Sequence, residues 1–165
     1  MHQRVHIGCG PQIFDRNERW TVVLGFKNFL KEQVEVESIL KYYPSPREVK
    51  YIRSVRHKLI VKNPDMKPIG DDKLHVTLAG GPGWKKMSSK FKDVKFDDPN
   101  FQLEFEEPKK VESSGKVSWY MKVKQQRQLK DYVTDLLKSD PDPKRVFHVS
   151  IANKTGKVGD SVANV

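Results

Sequence analysis

Two rhythms of apolar residues run along the chain, one of period two and one near 3.6, and they divide it into strands and helices. The run WTVVLGF at 20–26 is continuously apolar and partly β-branched, which predicts a buried strand. Residues 27–43 mix the two periods and read mostly as helix. Ser45 followed by Pro46 and Glu48 has the form of an N-cap, an N1 proline and a capping-box acid. Val49, Ile52, Val55 and Leu59 then share one face of the helix that follows. Residues 63–72 form a loop by their Pro, Gly and Asp content. Strand patterns cover 74–79, 91–96, 101–105 and 117–123, with 109–116 as the hairpin connection to the last of these. Leu129, Tyr132, Val133, Leu136 and Leu137 make one apolar helical stripe, ended by Pro141 and Pro143. A strand at 146–152 and a polar tail from Gly156 close the chain. Strands and helices mix without a regular βαβ rhythm, so the predicted class is α+β, in a single domain over 1–165.

Two of the predicted strands are copies of one pattern. Leu74-His75-Val76-Thr77-Leu78-Ala79 aligns with Phe147-His148-Val149-Ser150-Ile151-Ala152, and Gly83 with Gly156. Side chains of a strand alternate between faces, so His75 and Thr77 point the same way, roughly 7 Å apart at about 3.3 Å per residue. Val76 and Leu78 point to the other face. His148 and Ser150 stand in the same relation to Val149 and Ile151. Each copy thus sets an imidazole and a hydroxyl on a polar face backed by an apolar one, and the duplication predicts two lobes related by a rough two-fold.

Charge narrows the partner. Lys and Arg number 31 against 21 Asp and Glu, and a net charge of +10 attracts polyanions such as nucleic acid, nucleotides or an anionic surface. No run of the chain has the roughly 18 apolar residues that span a bilayer, and residues 1–10 hold no apolar signal core. One cysteine, Cys9, forms no internal disulfide. These features lead us to expect a cytoplasmic monomer that makes no membrane contact.

Histidine titrates near neutral pH, so two of them can divide acid–base work: one takes a proton from a nucleophile while the other gives one to a leaving oxygen. Hydroxyls of Thr77 and Ser150 can donate to phosphoryl oxygens as charge develops there. Glycine-containing turns let backbone amides approach an anion. Together these are the parts of metal-independent phosphodiester cleavage. Two histidines make an incomplete zinc site, and His2, His6, His57 and Cys9 match no standard zinc spacing. The Gly8, Gly10 pair lacks the rest of a nucleotide fingerprint. No metal and no cofactor are expected.

The paired motifs, each an H-x-[TS] followed by an apolar residue, resemble those of the two-histidine (2H) phosphoesterase superfamily. The likeness extends over about 73–156, half the chain, in the order strand, hairpin, strand with an aromatic cluster, helix, motif strand. It implies a bilobal α+β fold, two antiparallel sheets related by a pseudo-two-fold around a central cleft, with helices outside. It implies an enzyme that cleaves 2′,3′-cyclic phosphates or 2′,5′- or 3′,5′-linked phosphodiesters, similar to RNA 2′,3′-cyclic phosphodiesterases and 2′,5′-RNA-ligase-like proteins. His75 and His148 then become the acid–base pair, and Thr77 and Ser150 the phosphate-binding hydroxyls. Tyr120 is the favoured stacking aromatic, Lys122 shares its face, Lys154 follows the second motif, and Trp84 is a candidate lid or platform. The substrate is an RNA end or a small cyclic nucleotide. A 2′,5′-oligoadenylate or cyclic-oligonucleotide antiviral messenger ranks second, and a non-catalytic nucleotide-binding module is the reading from another class.

Overall fold

In the structure, a computed structural model, residues 34–165 are described. The predicted strand at 20–26, the glycine pair at 8 and 10, His2, His6, Cys9 and the first part of the predicted 27–43 helix lie outside them. Within them a strand–strand–helix–strand order occurs twice. The first set is β1 (Val34–Val36), β2 (Leu40–Tyr42), α1 (Pro46–Lys62) and, after the short β3 (Lys67–Pro68), β4 (Val76–Ala79). A helix α2 (Gly81–Met87) follows. The second set is β5 (Lys109–Ser113), β6 (Lys116–Lys122), α3 (Gln126–Leu137) and β7 (His148–Asn153). The class is α+β, as expected. The strands form one antiparallel seven-stranded sheet, ordered β1-β2-β4-β7-β6-β5 with β3 alongside β7, in place of the two sheets expected. No described helix is long and apolar enough to cross a membrane.

The two motif strands are central neighbours. Their ladder pairs Val76 with Val149, the equivalent residues of the two copies. Both valines are fully buried, with Leu78 and Ile151 beside them. The core face is covered by the helices: Ile52 and Leu59 of α1 and Leu129, Val133 and Leu137 of α3 join the same apolar cluster. The helices cross over, α1 lying against β7 and α3 against β4, which ties the halves together. The opposite face of β4 and β7 is left for polar side chains.

Glu48 shows how the α1 cap was legible and reaches further than a cap. Ser45 Oγ accepts from the Glu48 amide while Glu48 accepts from the Ser45 amide at 2.7 Å, the reciprocal capping box. The same buried carboxylate also takes the Tyr42 hydroxyl at 2.9 Å and the Leu103 amide at 2.7 Å. One side chain thereby satisfies groups from β2, α1 and the 101–105 segment. Burial and that carboxylate push the Tyr42 phenol well above its ordinary pKa.

Four predicted elements are corrected; 109–113, read as part of a connection, is strand β5, and only Ser114 and Gly115 form the turn to β6. Residues 34–42 are a hairpin, because Val34 and Val36 alternate with acids and pair with Tyr42 and Leu40 across a turn at 37–39. The alternation of 101–105 does bury Leu103 and Phe105, yet it forms only a bridge from Phe105 to Val123, since Glu48 claims the Leu103 amide. Residues 91–96 find no partner strand; Phe91 instead stacks on Trp84 at 6.1 Å, and Phe96 packs tilted against Phe91 at 5.8 Å.

Two glycines after β4 serve different ends. Gly81 has φ +72°, the left-handed region that disfavours a side chain. Gly83 lies against the Pro141 carbonyl, where an added Cβ would sit 2.4 Å from the oxygen. Gly83→Ala is therefore expected to lower stability by about 1–3 kcal/mol, the range for overpacking, read as a lower denaturation midpoint. An unchanged midpoint would contradict this close approach.

Candidate active site

The register that pairs Val76 with Val149 sets His75 opposite Ser150 and Thr77 opposite His148 on the other face. All four line one cavity of about 410 Å³. Cross-strand neighbours have Cβ atoms about 5 Å apart, so the four groups can converge on a single phosphate. The two rings are near enough that His75 contributes to the depressed pKa of His148.

The two rings are held alike. His75 Nδ1 lies 2.9 Å from the Lys73 carbonyl and His148 Nδ1 lies 2.9 Å from the Val146 carbonyl, each two residues upstream. A carbonyl oxygen only accepts, so Nδ1 carries the proton in each ring and Nε2 is the basic nitrogen of the neutral form. Each ring also meets the edge of a tyrosine: Tyr43 beside His75 at 6.4 Å and Tyr120 beside His148 at 5.7 Å between centroids. Burial is the main cause that lowers both histidine pKa values below the ordinary one. For His75 the upstream carbonyl opposes this, Lys41 adds to it and Glu37 opposes it. For His148 the carbonyl again opposes, while Arg145, His75 and Lys122 add to the lowering.

Of the secondary candidates, two stand at the site and two do not. Lys122 pairs with His148 across β6–β7 and Tyr120 with Ser150, so both belong to the motif face. Tyr120 is buried at 8% exposure, and its ring supports His148 instead of offering a platform for a base. Trp84 is wholly buried, stacked on Phe91 with its Nε1 donating to the Glu37 carbonyl, so it is a core residue and no lid. Lys154 follows the far end of β7, six residues and roughly 20 Å of strand from His148; its charge acts on Glu112 instead.

Several cleft residues were not anticipated. Lys73 and Arg145 line the cavity, and among its described lining residues none is Asp or Glu. Each precedes a motif strand by a few positions, in K-L-H and R-V-F-H, and that recurrence was the available signal. Lys41 pairs with Thr77 across β2–β4 and forms an ion pair with Glu37. Reading 27–43 as helix hid both Lys41 and Tyr43. The tail beyond Gly156, read only as polar, supplies Val158, Gly159 and Ser161 through Asn164 as a further wall.

Two buried polar residues hold that wall. Ser118 and Asn153, register partners on β6 and β7, are both wholly buried. Ser118 Oγ accepts from the Val162 amide at 2.8 Å, and Asn153 Nδ2 donates to the Lys157 carbonyl at 2.7 Å and to Ser161 Oγ at 3.0 Å. Lys116 adds a bond to the Gly159 carbonyl at 2.9 Å. These buried side chains thus find partners in the tail, and a partner lost from a group that stays buried costs about 1–3 kcal/mol.

Two imidazoles alone fall short of the three or four protein ligands of a usual zinc site, and no group of three or more His, Cys, Asp or Glu lies together among the described residues. Comparison of the chain with protein-family models, with curated proteins and with solved structures finds no match.

The geometry predicts an NMR titration in which both ring signals have midpoints below the ordinary value of about 6.5. Arg145→Ala and Lys122→Ala should each raise the His148 midpoint, because each removes a positive charge that opposes imidazolium. A midpoint at or above the ordinary value for both rings would contradict the burial argument.

Proposed function

We propose that the protein is a metal-independent phosphodiesterase of the two-histidine type, with the bilobal fold of that superfamily compressed into one sheet. It hydrolyses 2′,3′-cyclic phosphate ends of RNA or related cyclic and 2′,5′-linked nucleotides. The observation that carries this reading is the presence of His75, Thr77, His148 and Ser150 on one cavity wall, each imidazole with Nδ1 against a backbone carbonyl. A lining with Lys73 and Arg145 and no described acid favours an anionic substrate.

In the reaction, water attacks phosphorus and one neutral imidazole takes its proton at Nε2. The other ring, as imidazolium, gives its Nε2 proton to the departing ribose oxygen. One P–O bond forms to water and one breaks to ribose, leaving a phosphomonoester and a free hydroxyl. The two rings end with exchanged protonation states, which solvent resets. The hydroxyls of Thr77 and Ser150 donate to the non-bridging oxygens, whose charge rises as the fifth bond forms.

His75→Ala and His148→Ala should each abolish measurable turnover of an RNA with a 2′,3′-cyclic end while leaving most binding in place. Loss of a general acid or base costs about 10²–10⁴-fold. Turnover near the wild-type level in either variant would defeat the acid–base roles. A non-catalytic binding module predicts no turnover by the wild type on 2′,3′-cyclic RNA, 2′,5′-oligoadenylate or cyclic dinucleotides, with products sought by mass spectrometry.

One ring must be neutral and the other protonated, and both have lowered pKa values. For the free enzyme, kcat/KM should therefore peak on the acid side of about pH 6.5 and fall about tenfold per pH unit at high pH. A plateau from neutral to pH 9 would exclude a protonated histidine as the acid.

A further inference from the structure

A second cavity, of about 290 Å³, adjoins the first behind His148. It shares His148, Arg145, Ala163 and Asn164 with the main cleft and adds Lys144 and Asp142. Arg145 stands where the two meet. Its Nε donates to one carboxylate oxygen of Asp142 at 2.7 Å, which engages one edge of the guanidinium. One of its terminal nitrogens faces Gly80 on the main-cleft side, where an added Cβ would be 3.2 Å from it. Lys144 is exposed and makes no ion pair among the described residues.

Resting on the phosphodiesterase reading above, we infer that the annex formed by Lys144, Arg145 and the 163–164 tail is a subsite for a second phosphate of the substrate. This phosphate lies one nucleotide from the bond that is cut. Three arguments support it. The annex shares His148 with the cleft, so one molecule can reach from the reacting phosphorus into it. Arg145 is three residues from His148, no more than about 11 Å of extended chain, a span that adjacent phosphates with flexible side chains can bridge. A guanidinium oriented by Asp142 presents its remaining N–H groups at low entropic cost, and the fork matches phosphate oxygens. The substrate class is then an oligonucleotide end or a 5′-phosphorylated nucleotide, and a lone cyclic mononucleotide leaves the annex unfilled.

The test uses two stable product-like probes that differ only in the second phosphate, uridine 3′-monophosphate and uridine 3′,5′-bisphosphate. Calorimetry on the full chain measures each dissociation constant at two salt concentrations. The bisphosphate should bind about tenfold more tightly, the size of one good charge-assisted contact. Lys144→Ala and Arg145→Ala should each shrink that advantage to threefold or less. Lys154→Ala removes the same charge far from the cleft and should preserve it. Equal affinity for the two probes, or an advantage that survives both annex substitutions, would overturn the subsite. An advantage that Lys154→Ala reduces equally would assign it to diffuse charge and overturn the subsite as well. The readout is binding, so absence of turnover would count against the hydrolase reading alone.

Discussion

Pairing of Val76 with Val149 fixes nearly everything else about this protein. Antiparallel neighbours that are copies of one sequence meet at equivalent residues, and the period of two then decides every side chain around them. Apolar partners fall on the helix-covered face, where Leu78 and Ile151 are buried with the valines. Imidazoles and hydroxyls fall on the open face in alternating order. A slip of one residue in either strand would send its histidine into the core and its valine to solvent, so the hydrophobic effect that sets the register also assembles the site.

Electrostatics completes what the register begins. The rings are half-buried beside cations, which disfavours imidazolium, yet each donates Nδ1–H to a carbonyl, which favours it. Burial outweighs that bond, and both pKa values lie below the ordinary one. Lys41 adds to the depression of His75, and Arg145 and Lys122 to that of His148. Ser118 and Asn153 add a mechanical element, since they convert a polar tail into a wall by satisfying its backbone.

Much of this was legible in the chain because it depends on local chemistry. The α1 cap was written in Ser45, Pro46 and Glu48, and the motif strands in their alternation and duplication. What stayed hidden depends on distant partners. Nothing near Leu103 says that its amide will be claimed by Glu48 rather than by a strand. Trp84 beside three glycines resembles a mobile platform until Phe91 is seen stacked on it, with Phe96 against Phe91 in turn. The mixed periodicity around Lys41 was resolved toward helix, and only the pairing of β2 with β4 brings that lysine to the motif face. A tail of small and polar residues carries no pattern that announces its docking on buried Ser118.

Whether two imidazoles serve one phosphorus centre, as proposed, is tested most directly by a crystal structure with a uridine–vanadate complex. The account predicts vanadium bound between β4 and β7, with Nε2 of His75 and Nε2 of His148 each about 2.6–3.2 Å from different vanadate oxygens. Vanadate held by one ring alone, or seated away from both, would contradict it.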